Sequence, residues 1–254
     1  MFLAIDIGNT NITMGLFERD ELIKAFYSPV IKAPDSEYYN KIFREYFENY
    51  NIDAAAIISV AGNVQEYVKD ACAGELNTEA IIIDYKLIPD MEIQTEKPEA
   101  VGIDRLINSY AAKKMYKTPC IIVDAGTAIT VDVVSKEGNF VGGAIMPGIN
   151  IQLKALSDYT SKLPYLEPKE VQYAIGNNTE KAMLSGVLLG AASAVDGLIT
   201  QFENEIGEAA NIILTGGHCE YLSKYCNHHY DYVLPNLTLS GIKSVYNDLK
   251  SVAV

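Results

Sequence analysis

An α/β protein made of two similar halves is the fold class this sequence predicts, on three observations. The first is an apolar run, Phe2 to Ile5, that ends in Asp6 and passes through Gly8-Asn9-Thr10-Asn11 into a second apolar-rich run, Ile12 to Phe17. Such a pattern reads as a β-hairpin whose first strand delivers a carboxylate to its end while the turn presents amide and hydroxyl side chains. The second is the return of near-identical chemistry about half a chain later: Cys120-Ile-Ile-Val ends in Asp124, a Gly126-Thr127-Ala128 turn follows, and Ile129 to Val134 runs back. The third is the order of elements behind the hairpins, where helical and strand periodicities alternate.

In the first half, Glu21 to Tyr27 continues the hairpin as a third strand. Ser36 to Tyr50 places Tyr39, Ile42, Phe43, Tyr46 and Phe47 at i, i+3, i+4 spacings, the core-facing stripe of an amphipathic helix. Ala54 to Val60 is an apolar strand running into Ser59-Val60-Ala61-Gly62. Asn63 to Ala73 reads as a helix capped by Asn63, and Ala80 to Asp84 as a short strand. A three-strand meander followed by alternating α and β is the pattern of a ribonuclease-H-like half-domain. Lys86 to Ala100 is polar, holds Pro89 and Pro98, and reads as an extended connection. Gly102-Ile103-Asp104-Arg105 then opens a helix to about Tyr116, with Leu106, Ile107, Tyr110 and Ala111 on one face.

The second meander comprises Cys120–Asp124, Ile129–Val134 and Asn139–Ile145, and its third strand runs through Gly143 to Gly148 into a helix, Ile149 to Ser157. Thr179 to Glu205 is a long helix with small residues at Ser185-Gly186, Gly190 to Ala194 and Gly197, suited to close core and subunit packing. Ile212 to Thr215 is a strand entering Gly216-Gly217, a third corner where backbone can approach a ligand such as a nucleoside. The expected domains are residues 1–116 and 117–254, two ribonuclease-H-like domains flanking a shared nucleotide cleft.

The chain has 254 residues, 49% of them apolar, enough for two cores of about 120 residues each. Its formal charge of −13 argues against nucleic-acid and anionic-membrane partners, which need an electropositive face. An anionic substrate must therefore be met by turn amides, a few basic residues and metal. Met1 leads into a strand rather than a secretory leader, and no apolar run reaches the ~18 residues of a membrane span, so a soluble cytoplasmic protein is expected. Of the four cysteines, Cys72 and Cys120 read as buried small hydrophobes. His218-Cys219, Cys226 and His228-His229 match no zinc spacing and read as a surface helix and loop.

Both hairpin turns suit a phosphate chain. Glycine admits the backbone to a ligand, and exposed turn N–H groups form a nest for anionic oxygens. Thr and Asn side chains add neutral donors, and a strand-end carboxylate can hold Mg²⁺ through waters while the metal bridges phosphate oxygens. Neither a P-loop nor a Gly-x-Gly-x-x-Gly fingerprint is present.

Strand–Asp-x-Gly-x-Thr hairpins in both halves, with strand–Thr-Gly-Gly–helix near the end, resemble the superfamily of actin, sugar kinases and heat-shock chaperones, the actin-like ATPases. Within it, Asp6-Ile-Gly-Asn-Thr-Asn, Gly102-Ile-Asp-Arg105, Asp124-Ala-Gly-Thr-Ala, Gly143-x-Ile-x-Pro-Gly148 and Ile175-Gly-Asn-Asn-Thr179 occur in the order and spacing of type III pantothenate kinases. The resemblance implies ATP-dependent phosphorylation of pantothenate. It makes Asp6, Ile7, Gly8, Asn9, Thr10, Asn11, Ile12 and Thr13 the ATP phosphate hairpin, with Asp6 near Mg²⁺. It makes Gly102, Ile103, Asp104 and Arg105 the pantothenate segment, with Asp104 as general base and Arg105 supporting the substrate carboxylate or the moving phosphoryl group. Asp124 becomes the ligand of a monovalent cation (K⁺ or NH4⁺), Thr127 a further ATP contact and Thr179 a pantothenate contact. Thr95 stands where the family usually carries an aromatic residue in that pocket. The resemblance also implies a homodimer whose substrate pocket is shared across the interface, with Asp104 and Thr179 near the junction.

The chemistry holds without the family name, because phosphoryl transfer to an alcohol needs positioning, charge neutralisation and a carboxylate to accept the hydroxyl proton. Asp104 beside Arg105 at a helix start is expected to have its ionised form favoured. The rival readings are a catalytically weak, nucleotide-binding regulatory relative and another kinase or phosphatase on the same scaffold.

Overall fold

The computed structural model describes residues 1–31, 33 and 35–252, and the chain divides into two compact units. The first comprises residues 1–91, 96–111 and 237–254, the second 92–95 and 112–236.

The first unit is built on β1 (Phe2–Ile7), β2 (Asn11–Glu18) and β3 (Glu21–Pro29), then α1 (Ser36–Phe47), β4 (Ala54–Ser59), α2 (Gly62–Leu76), β5 (Ala80–Ile82) and the start of α3 (Ile103–Met115). Its sheet runs β3-β2-β1-β4-β5, antiparallel across the meander and parallel from β1 to β4 and β5. Being central, β1 is covered on both faces, which is why it reads as a continuous apolar run rather than an alternating one. Leu3, Ile5, Ile12 and Met14 meet Phe43 and Phe47 of α1 and Val64 and Val68 of α2 in one core. The Asp35 side chain caps α1 by accepting the Tyr38 N–H at 2.7 Å.

The second unit repeats the plan with β6 (Cys120–Ala125), β7 (Ala128–Val134), β8 (Phe140–Pro147), α4 (Ile149–Asp158), α5 (Thr179–Ile206), β9 (Asn211–Thr215), α6 (Cys219–Tyr225) and β10 (Tyr232–Val233). The sheet order, β10-β9-β6-β7-β8, matches the first strand for strand, with the same antiparallel meander and parallel continuation. Val123, Ile129 and Val131 pack with Ala192, Val195 and Ile199 of α5. A final helix, α7 (Leu237–Val252), closes the chain.

Several expectations change. A single boundary after Tyr116 does not describe the units, because α7 packs on β1, β2 and β4 and so belongs with the first. Tyr110 of α3 donates its hydroxyl to Asp248, and Thr238 donates to Asn108 at 2.8 Å, fastening α7 there. Residues 253–254 of the expected second domain lie outside the described residues. Helix α2 begins at Gly62 rather than with Asn63 as cap; its flanking residue is Ala61, whose N–H is taken by Ser59 Oγ at 3.1 Å. The polar connection is not merely extended, since Ile93 pairs with Phe140 on the free edge of β8. By length and composition α5 is long and apolar enough to cross a membrane, contrary to the run-length reading; 56% of its most apolar 18-residue window is buried within the protein.

Candidate active site

In the first unit, antiparallel pairing of Asp6 with Thr13 and Ile7 with Ile12 brings the half-buried Asp6 carboxylate to the strand end. The turn closes with Gly8 N–H donating to Asn11 O at 3.0 Å, and Thr10 O accepts from Val30 N at 2.8 Å. Asn9, Thr10 and Asn11 face solvent at the strand end. The neighbouring strand is tied in by Val60 N–H to Ile7 O at 3.0 Å.

Also in the first unit, Gly102 O accepts the N–H groups of Arg105 (3.1 Å) and Leu106 (3.3 Å), starting α3. Ile103, Leu106, Ile107 and Tyr110 bury the inner face, which fixes Asp104 in the first turn. Its Oδ1 accepts the Arg105 N–H at 2.9 Å. Burial pushes the Asp104 carboxyl above the ordinary carboxylate range, and the Arg105 hydrogen bond and charge only partly oppose it. This reverses the sign expected from sequence, where the neighbouring cation is visible and the desolvation is not.

The second unit holds Thr95, Asp124, Thr127 and Thr179. Asp124 pairs with Thr130 of β7 and with Thr215 of β9, and is half-buried. Two glycines close over its turn. Gly148 N–H donates to Thr127 O at 3.0 Å, and a Cβ there would fall on the carbonyl oxygens of Gly126 and Thr127. Gly216, at φ +92°, leaves space for Asp124 Oδ1 where a Cβ would sit. His218 N–H donates to Ala125 O at 2.8 Å, locking the third corner to the turn. The Thr215 hydroxyl is buried without a hydrogen-bond partner.

Thr95 ends the short segment beside β8, held by Gln94 N–H to Phe140 O (2.8 Å) and Phe140 N–H to Glu92 O (2.9 Å). Its hydroxyl is sealed from solvent and unpaired. Thr179 is exposed as the first residue of α5, behind an Asn178 cap that accepts the Lys181 N–H at 2.9 Å.

The His/Cys segment has structural contacts of its own. Asp196, buried on α5, accepts from Asn227 N (2.6 Å), Asn227 Nδ2 (3.0 Å) and His228 N (3.0 Å), and its Oδ1 lies 3.1 Å from His228 Nδ1. These bonds outweigh desolvation and hold its carboxyl below the ordinary range. Cys226 Sγ accepts from Tyr230 OH at 2.8 Å, and Cys219 is buried. Sequence reading missed Asp196, although a lone carboxylate on an apolar helix is itself a signal that a partner must exist. It likewise missed His218 and Thr215 as parts of the second turn.

A family model described as type III pantothenate kinase matches residues 2–201. The type III pantothenate kinase of Finegoldia magna is 36% identical over 258 residues, covering 98% of this chain and 97% of its own. That of Moorella thermoacetica is 34% identical over 251 residues, covering 97% and 98%. Among solved structures, a conserved protein of the Baf transcriptional-activator family from Campylobacter jejuni aligns with a TM-score of 0.64 at 22% identity, over 98% of this chain and 99% of that one. The activator of 2-hydroxyisocaproyl-CoA dehydratase from Clostridium difficile, solved with bound ADPNP, aligns with a TM-score of 0.56 at 11% identity, over 99% and 96%. At these identities the structural likeness shows the fold: the mixed α/β plan of actin-like ATPases.

Proposed function

The chain belongs to the type III pantothenate kinase family, and we propose that it transfers the γ-phosphoryl group of ATP to pantothenate, giving 4'-phosphopantothenate at the first step of coenzyme A synthesis. The observation that carries the chemistry is Asp104, a carboxylate fixed in the first turn of α3 with its proton affinity raised by burial. A general base works best when its pKa approaches the operating pH, and this shift moves Asp104 in that direction. Asp104 takes the pantothenate hydroxyl proton. Arg105 offers a planar cation to the substrate carboxylate or the moving phosphoryl group. Gly102 and Ile103 line the same segment, while Thr179 and Thr95 contact pantothenate. The Asp6–Thr13 hairpin, with Ile7, Gly8, Asn9, Thr10, Asn11 and Ile12, receives the ATP phosphates, and Thr127 is a further ATP contact.

Asp6 would hold Mg²⁺, which would supply neutralisation of the phosphate charge. Among the described residues no three His, Cys, Asp or Glu gather as a metal cage. The donor set therefore suits an ion shared between one carboxylate and substrate phosphates. Asp124 would hold the monovalent cation, K⁺ or NH4⁺. The Thr215 hydroxyl, buried and unpaired on the strand position paired with Asp124, supplies a second hard oxygen of the kind such an ion takes.

A two-fold homodimer follows on the face of α5 where Ala182, Gly186, Gly190, Ala194 and Gly197 are exposed in a row. Beside it lies an apolar groove of about 540 Å³ between α4 and α5, lined by Ile151, Tyr159, Met183 and Val187 among others. Tyr159 is 89% and Ile151 42% exposed, which a contacting subunit would relieve. The partner finishes the substrate pocket near Thr179, across an interface above ~1,000 Å². The free cysteines suit a reducing, cytoplasmic compartment.

A coupled assay of ATP consumption with pantothenate, acetate, glycerol and hexoses tests the reading. Turnover is expected with pantothenate alone; consumption with another acceptor and none with pantothenate would overturn it. Light scattering that gives a fully active monomer would refute the dimer and the shared pocket.

A further inference from the structure

His218, in the third corner, has a side chain that reaches another segment of the second unit. Its backbone N–H is bonded to Ala125 O at 2.8 Å. Its Nε2 lies 3.5 Å from Asn150 Nδ2, in the first turn of α4. An amide nitrogen can only donate, so with the amide in this orientation Nε2 accepts and the ring proton sits on Nδ1. Nδ1 is shut off from solvent and directed at the Gly126 backbone, an interaction that favours the ring proton but falls short of the geometry of a well-formed hydrogen bond. The turn that carries Thr127 is thus touched from three sides: by Gly148, by the Gly216 corner, and by an imidazole whose donor is unspent.

A buried, unbonded donor is costlier than an apolar side chain of the same shape, so packing alone would select Leu or Phe here. The imidazole earns its place if the donor is used in another state. We infer that His218 is a positioning residue for the second phosphate turn: when nucleotide occupies the turn, the Gly126 carbonyl swings onto Nδ1–H, and the Asn150–His218–Gly126 chain sets the orientation of Thr127. This inference rests on the reading of the Gly126-Thr127 turn as a nucleotide contact, and it adds to that reading a residue acting through the turn rather than on the ligand. It requires no ionisation of His218, which burial keeps neutral.

The test combines kinetics with a spectroscopic signature. His218→Phe keeps the ring and removes both nitrogens. The KM for ATP should rise about tenfold, the equivalent of one lost hydrogen bond of ordinary strength, while the KM for pantothenate stays within about twofold. His218→Asn, whose amide can replace the Nδ1 donor, should restore most of the ATP affinity. With only three histidines in the chain, ring signals are assigned by substitution at His228 and His229. Addition of Mg·ADP to the wild-type protein should then shift the His218 ring resonances and leave those of His229 in place. Unchanged KM for ATP in His218→Phe, parallel rises in both KM values with no rescue by Asn, or a silent His218 ring on adding Mg·ADP would each overturn the inference. Thr127→Ala separates the two levels. If it weakens Mg·ADP binding while His218→Phe does not, the inference alone falls; if it leaves binding untouched, the nucleotide reading of the turn falls and the inference with it.

Discussion

Asp6 pairs with Thr13, seven residues on, whereas Asp124 pairs with Thr130, six on, so of the turns that follow the corresponding strands β1 and β6 the second is the tighter. Around the first turn, three consecutive residues face solvent and the backbone contacts come from one flanking loop and its own closure. Around the second, Gly148 and Gly216 approach to within the space of a side chain and His218 is bonded to its base. Two units of one topology thus differ at the equivalent turn: the first has an open turn and, at the start of α3, a desolvated carboxylate, while the second has a turn clamped by its neighbours. Substitutions in the first should change rates before stability, and substitutions in the second should do the reverse.

The largest effect expected is in the first unit. Asp104→Asn should lower kcat by at least ~10², the usual worth of a positioned general base, with Mg·ATP affinity largely kept. Because burial raises the Asp104 pKa, its contribution to stability is full at low pH and is lost as pH rises through the folded value. The Asn variant has no such loss, so it should melt higher than wild type at neutral pH and converge with it in acid. The acid limb of the wild-type kcat/KM profile should lie above the ordinary carboxylate pKa for the same reason. Near-normal turnover, or a variant less stable at pH 7, would remove this difference.

Gly148→Ala sets the contrast. A Cβ driven into two backbone carbonyls should cost about 3 kcal/mol in denaturant unfolding, the upper part of the overpacking range. Gly8→Ala, whose Cβ would stand 3.1 Å from Asn11 O, should cost well under half of that. Equal losses would mean that the first turn is as tightly held as the second. Asp196→Asn should cost about 1–3 kcal/mol by weakening the bonds to Asn227 and His228. The wild-type carboxyl is depressed, so this stability is present above the ordinary Asp value and lost as pH falls through the folded one; the gap between the two proteins should close in acid. The smallest effect is a several-fold fall in activity when K⁺ or NH4⁺ is replaced by a bulky organic cation at equal ionic strength. Asp124→Asn should abolish the response, and indifference of the wild type would remove the cation from Asp124.

What was legible in the sequence was local. An apolar run, a carboxylate and a glycine turn are consecutive signals, so both hairpins and the placement of Asp6 and Asp124 could be read directly, as could the start of α3. Packing between distant segments left no such trace. Nothing in Leu237–Val252 says that Gly241 will lie against Ile107, or that Asp248 will receive Tyr110. The pairing of Ile93 with Phe140 was hidden because 92–95 has the composition of a linker. The sign of the Asp104 shift was misread because charge neighbours are adjacent in sequence while the groups that exclude water are not.

The return of α7 to the first unit has a consequence for how the chain is made. The second unit is nearly continuous, 112–236, while the first needs residues on both sides of it. During synthesis from the N-terminus the second unit therefore has all its major elements before the first has its last helix, and the sheet of β1, β2 and β4 waits with one apolar surface uncovered. A nascent or truncated chain stopped before Leu237 would present that surface to chaperones and proteases. Loss of a few C-terminal turns should consequently damage the N-terminal half of the protein more than the half that precedes the cut.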